Sequence, residues 1–213
     1  MSVVVVDYGS GNRRAAEMVC ARAARDRGLQ LEVKISARAG DVRRASHIVL
    51  PGQGAFGDCK RGLAAVPGMI EVLTEAVVKE GRPFLGICVG MQLMAARGLE
   101  HGVHQGLGWL PGDVVAMAPT DRTLKIPHMG WNELVPRAAH PVLEGLPAGT
   151  HAYFVHSYHF RPADPADLIA ETDYGGPLAA VIGHDNLIGT QFHPEKSQMA
   201  GLRLIANFLA WRP

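Results

Sequence analysis

The stretch Pro83–Met94, PFLGICVGMQLM, constrains this chain more than any other. It reads as a short apolar strand, a tight turn flanked by glycines and then a helix. Cys88 sits at the turn, with Gly86 and Gly90 two residues to either side. A strand turning that sharply into a helix leaves no room for side chains next to the turn, and glycine at those two places removes the clash. G-x-C-x-G is the cysteine form of a nucleophile elbow. It would present the sulfur at the C-terminal edge of a sheet and at a helix N-terminus, where partial positive charge favours the nucleophilic thiolate. An isolated cysteine would read as a small buried core residue. The two glycines and a base further along the chain argue instead for chemistry.

The remainder supplies a sheet for that elbow to sit in. Val3–Val6 is a continuous β-branched run, as expected of a strand buried on both faces of a parallel sheet. It ends in the turn-rich Asp7-Tyr8-Gly9-Ser10-Gly11-Asn12, which matches no phosphate-binding glycine pattern and reads as a connecting or partner-facing loop. A helix follows from about Arg13 to Arg27, with Ala15, Val19 and Ala23 on its apolar face and Gly28 as its stop. Strands are expected at Leu31–Ile35 and His47–Leu50, a short helix or turn at Asp41–Ala45, and an amphipathic helix from about Met69 to Lys79. The third strand runs into Pro51-Gly52-Gln53-Gly54, whose glycines could free backbone N–H groups to face the same sheet edge as Cys88.

After the elbow helix the pattern becomes β-rich. Leu99–Gly108 reads as a loop; Val114–Met117, Lys125–Ile126 and Trp131–Val135 read as short strands. Thr150–Phe160 alternates and reads as one strand, followed by strands at Leu168–Thr172, Leu178–Ile182 and Leu187–Gln191. A last helix is expected from about Met199 to Trp211. With no linker or repeat, the expectation is one α/β domain over 1–213, with alternating β and α at its start and a β-rich second half.

Composition narrows the classes of function. The formal net charge is +1, which gives no footprint for nucleic acid. No apolar run is long enough to span a bilayer, and MSVVVVDYG lacks the basic region of a signal peptide. Three cysteines, an odd number, fit a reducing, cytoplasmic setting rather than a disulfide framework. Cys59, in GDCKRG without an elbow, reads as structural. His101, His104 and His128 lack the spacing of zinc patterns, so no metal and no cofactor is expected.

The base for Cys88 is expected in Phe192-His193-Pro194-Glu195-Lys196-Ser197. Residues i and i+2 of an extended backbone point the same way, so Glu195 can hold one imidazole nitrogen of His193 while the other faces a third group. Elbow, donor loop and oriented base together specify acyl transfer through a thioester, with water as final acceptor.

GICVGMQ and QFHPEKS resemble the class I, or triad, glutamine amidotransferases. DYGSGN, LPGQGAFGDC, IPHMGWN, YFVHSYHF and FHPEKSQ are similar to the branch formed by the glutaminase subunits of imidazole glycerol phosphate synthases, over nearly the whole chain. The resemblance implies a flavodoxin-like α/β fold, a mostly parallel central sheet flanked by helices with an extra antiparallel β portion in the second half. It also implies a triad of Cys88, His193 and Glu195, an oxyanion hole from the backbone N–H groups of Gln53 and Val89, and glutamine contacts from Gly52, Gln92, Ser157 and Tyr158. It implies a partner face with Asn12, Trp131, Tyr153 and Lys196, turned to a separate (β/α)₈ cyclase subunit that uses the ammonia in histidine biosynthesis. The family often carries Val at the place of Gln53, where only the N–H is needed; His159 also departs from the pattern and is given no role. Two other classes fit the elbow alone: a stand-alone cysteine hydrolase, such as a γ-glutamyl hydrolase or peptidase, and a non-catalytic domain of related fold. HPEKSQ and PHMGWN argue against the first, the intact Cys–His–Glu set against the second.

Overall fold

A computed structural model describes residues 1–213. The strands are β1 Ser2–Val6, β2 Glu32–Ser36, β3 His47–Gly52, β4 Phe84–Cys88, β5 Ala95–Gly98, β6 His104–Gln105, β7 Leu110–Ala116, β8 His128–Pro136, β9 Thr150–His156, β10 Tyr158–Pro162, β11 Leu168–Asp173, β12 Pro177–His184 and β13 Leu187–Thr190. The helices are α1 Arg13–Asp26, α2 Ala39–Arg44, α3 Phe56–Ala65, α4 Met69–Thr74, α5 Val89–Gln92 and α6 Gln198–Ala210. No helix is long and apolar enough to cross a membrane.

Nine strands form one sheet in the order β2-β1-β3-β4-β13-β12-β11-β8-β9. The first five are parallel, in the doubly wound order that places ligand sites beyond the C-terminal strand ends. Val3–Val6 are fully buried in β1, one strand in from the edge, with β2 and β3 on either side, as a run without polar alternation requires. From β13 onward every joint is antiparallel. The antiparallel portion therefore continues the parallel sheet edge to edge and accounts for half of its joints. A second sheet, β10-β7-β5-β6, packs on β12 and α5.

Helix α1 starts where the Asn12 side chain accepts the Ala15 N–H, and it ends before Gly28, which takes the left-handed conformation. Its buried face is Ala16, Cys20, Ala23 and Ala24, so the apolar stripe is turned one residue from the expected one and Ala15 and Val19 lie at its edge. These small residues let α6 pack closely against α1.

Three local expectations change, and one helix is unanticipated. Phe56–Ala65 is a helix, although its two glycines disguise it. The helix after Cys88 is one turn, because the chain folds back into β5 at Ala95. Lys125–Ile126 is a bend rather than a strand. The expected strand Thr150–Phe160 breaks at Ser157: β9 pairs with β8 in the long sheet and β10 with β7 in the second. The chain crosses between the sheets there, beside the elbow.

Candidate active site

Cys88 ends β4 with φ 53° and ψ −112°, a strained conformation for a residue with a side chain. Close approach of the backbones explains the two glycines. A Cβ on Gly90 would stand 1.8 Å from the Leu50 carbonyl oxygen, and one on Gly86 would stand 2.7 Å from the Gly90 oxygen and the Met91 Cα. Gly90→Ala therefore has to push α5 off β3; it is expected to destabilise the fold by about 3 kcal/mol or more. Gly40→Ala, where the nearest neighbour is 3.7 Å away, should leave stability at or above wild type. Thermal melts of the two variants check this; equal melting temperatures would show that the elbow does not depend on the contact.

His193 follows β13, the strand that pairs with β4. Its Nδ1 lies 2.9 Å from Glu195 Oε1, and both side chains are 3% exposed. The backbone is held from behind: the His193 N–H donates to Tyr153 O at 2.9 Å and Ser197 Oγ to His193 O at 2.7 Å. Burial disfavours the imidazolium, but Cys88 and Glu195 outweigh it and push His193 up to about 9. His193 Nε2 has no partner at hydrogen-bond distance, and it is the side-chain contact with Cys88 that raises the imidazole most. Glu195 Oε2 is also buried without a partner, so that carboxylate is balanced by His193 alone.

Cys88, Val89 and His193 open on a cavity of about 260 Å³, walled also by Gln53, Gly54, Gln92, Ser157 and Tyr158. Of the expected glutamine contacts, Gly52 lies outside that wall. It pairs in register with Cys88, and a Cβ on it would stand 2.6 Å from Gly90 N. Gln92 is 2% exposed and donates to Tyr158 O at 3.0 Å and Gln191 Oε1 at 3.1 Å, so both its N–H bonds are spent inside the protein. The Gln53 N–H is likewise occupied here, donating to Ser10 Oγ at 3.1 Å. Ser10 Oγ donates in turn to Gln53 O at 2.7 Å, and the Cys59 thiol reaches Gln53 O at 3.4 Å. Tyr8 adds a bond to Pro51 O at 2.7 Å. Cys59 thus belongs to a clamp on the loop after β3, where burial pushes its thiol up and keeps it a donor.

Two polar wall residues escaped sequence reasoning. Glu100 reaches the cavity and accepts the Phe56 N–H at 2.6 Å, capping α3. Its only signal was a carboxylate in a glycine- and histidine-rich loop. His156 lines the wall and is joined at 3.0 Å to His128, itself stacked on Tyr174. His128 is therefore a buried hydrogen-bonded histidine, and burial lowers it to about 4. His104 bonds to Glu100 O, while His101 is exposed.

The four expected partner-facing residues lie on the surface around this site. Trp131 is 47% exposed, stacks edge-on against Tyr153 and is its cross-strand partner. Lys196 Nζ lies 5.7 Å above the Tyr153 ring. Asn12 is exposed at the start of α1, in the loop that carries Ser10.

The family described as glutamine amidotransferase class-I matches residues 4–211. Relatives named imidazole glycerol phosphate synthase subunit HisH match end to end, covering all of both chains: 58% identical in Rhodospirillum rubrum and 55% in Brucella suis. Among solved structures, one described as a glutamine amidotransferase has a TM-score of 0.71 at 20% identity, covering 97% of each chain. Another of that description, from Thermotoga maritima, has a TM-score of 0.61 at 16% identity, covering 92% of this chain and 76% of that one; both likenesses are of fold. With matches of that length and identity behind the elbow and its buried histidine–glutamate pair, the chain belongs to the class-I glutamine amidotransferases, in the branch of the HisH subunits.

Proposed function

We propose that this chain hydrolyses glutamine to glutamate and ammonia through a cysteinyl thioester. The ammonia passes to a (β/α)₈ cyclase subunit that makes imidazole glycerol phosphate and an aminoimidazole carboxamide ribotide in histidine biosynthesis. One observation carries the chemistry: Cys88, strained at an elbow, shares a cavity with a buried imidazole whose far nitrogen is held by a carboxylate. The relatives' name, borne at 58% identity over the full length, supports the pathway.

In this reading Sγ attacks the side-chain amide carbon and the carbonyl electrons move to oxygen. When that tetrahedral adduct collapses, His193 delivers a proton to the leaving nitrogen and ammonia departs. His193 then takes a proton from water, water attacks the thioester, and glutamate leaves as Sγ is regenerated. Glu195 keeps the tautomer and stabilises the charged ring. Val89 N–H, at the start of α5 where no intrahelical acceptor exists, faces the oxyanion. Glu100 offers a carboxylate to the α-ammonium of glutamine, and Ser157 and Tyr158 close the opposite wall. Incubation with glutamine and a co-purified cyclase subunit tests the reading; glutamate release without nitrogen transfer to the cyclase product would remove the coupling.

The second oxyanion donor, Gln53 N–H, is bonded to Ser10 and has to turn before it can act. We infer that the isolated chain idles in this state. A partner seated on Asn12, Trp131, Tyr153 and Lys196 would press on the loop that holds Ser10 and on the strand tied to His193. Ser10→Ala is expected to raise glutamine turnover by the isolated chain, up to the roughly hundredfold worth of one oxyanion donor. Glutamate release by the variant without partner measures it. A variant as slow as wild type would remove Ser10 as the restraint.

A further inference from the structure

We propose that Gln191 is a positioning residue for the nucleophile: it presents an N–H to the Cys88 sulfur, and a chain of buried amides and imidazoles fixes that orientation. Gln191 follows β13, is fully buried, and places Nε2 3.7 Å from Cys88 Sγ. The polarity of the chain follows from its fixed end. Tyr158 O can only accept, so the Gln92 side chain turns its nitrogen to it, at 3.0 Å. The second Gln92 N–H then meets Gln191 Oε1 at 3.1 Å. A flipped Gln191 would set two NH₂ groups against each other and turn a carbonyl oxygen on the sulfur. Tyr158 O is itself held from the other side by His156 Nδ1 at 2.9 Å, His156 Nε2 accepts from His128 Nδ1 at 3.0 Å, and Asn132 donates to His128 Nε2 at 3.2 Å. Each group in this series has one consistent role, and each imidazole is neutral with a single N–H. Burial keeps them neutral: His128 is lowered to about 4 and His156 to about 3.

An N–H aimed at sulfur favours the thiolate over the thiol and fixes the sulfur's approach. The titratable groups around Cys88 are His193 with Glu195 beyond β13, Tyr8 after β1, Cys59 on α3, His156 on β9, Tyr158 at the start of β10 and Glu100 after β5. None is altered by Gln191→Met, so a change in the behaviour of the sulfur in that variant reports the lost donor; Gln191→Glu adds a carboxylate of its own, so its effect counts only where Gln191→Met moves in the same direction.

The inference rests on Cys88 being the nucleophile, and the test separates the two. The full chain is treated with iodoacetamide across a pH series, with modification of the Cys88 peptide followed by mass spectrometry and glutamine turnover followed in parallel. Gln191→Met keeps length and removes the donor; Gln191→Glu keeps shape and the bond from Gln92 but turns an oxygen on the sulfur. Both should alkylate roughly tenfold more slowly at neutral pH, with the midpoint moved to higher pH, and lose kcat for glutamine with KM little changed. Wild-type profiles in both variants overturn the role of Gln191. Alkylation of Cys88 without loss of wild-type turnover overturns the nucleophile assignment instead. If both variants fail to fold, the wild-type chain still decides: the Gln191 side-chain amide signal in a ¹⁵N-labelled sample should titrate with pH and stop doing so in Cys88→Ala. A signal unmoved in both would refute the contact.

Discussion

Cys88→Ala is expected to lower glutamine-dependent synthesis by the complex by about four orders of magnitude or more while sparing synthesis driven by added ammonium salt. The sulfur forms the thioester, and nothing else in the cavity can replace it. Cys20 is packed in α1 against the core, and Cys59 is held in the clamp on Gln53. The ammonium route bypasses the thioester, because the cyclase needs only ammonia. The variant should also fold: the side chain is small, and alanine meets the same strained φ as cysteine. Cys20→Ala is the control and should retain both activities. Steady-state rates with glutamine and with ammonium salt measure the difference. Equal loss with both nitrogen sources would mean that Cys88 supports the assembly rather than the hydrolysis.

The elbow was legible from the sequence because its geometry admits little else. A Cβ at Gly90 would collide with the Leu50 carbonyl, so the glycine is dictated by the fold and its spacing from Cys88 survives as a pattern. The pair His193 and Glu195 was legible for the same kind of reason, since two residues' spacing alone brings the side chains to one side. What stayed hidden depends on contacts between distant segments. The alternation of Thr150–Phe160 continues through Ser157, so nothing local announces that the strand changes sheets there. Strands β5 and β6 are too short and too poor in apolar residues to show a period. Ser10 and Gln53 are 43 residues apart, and only the packing of β1 beside β3 makes them partners. Gln191 looked like the polar end of a strand; its meaning lies in Cys88 and Gln92, 103 and 99 residues away.

His193→Asn should lower glutamine turnover further than Glu195→Gln, by about three to four orders of magnitude against one to two. The reason is a division of roles. His193 moves the proton in both half-reactions, and an amide cannot. Glu195 acts through the ring: it sets Nδ1 as the donor and compensates the positive charge inside a buried site. A glutamine there can still accept from Nδ1 with its carbonyl oxygen, so orientation survives while the charge is lost. That charge is one of the causes, after the contact with Cys88, that push His193 up to about 9 against burial. With Glu195→Gln the imidazolium should release its proton at lower pH, and the basic limb of kcat/KM should move down from the region of pH 9 toward neutrality. The same sign governs stability. A histidine raised on folding stabilises the native state fully below its unfolded pKa, roughly 6.5, and loses that contribution as pH rises through the folded value. Wild type should therefore lose stability between about pH 6.5 and 9 by an amount that Glu195→Gln reduces. Kinetic pH profiles and melts across that window read both effects. An equal or larger loss of turnover in Glu195→Gln, with its basic limb unmoved, would assign the carboxylate a direct part in proton transfer.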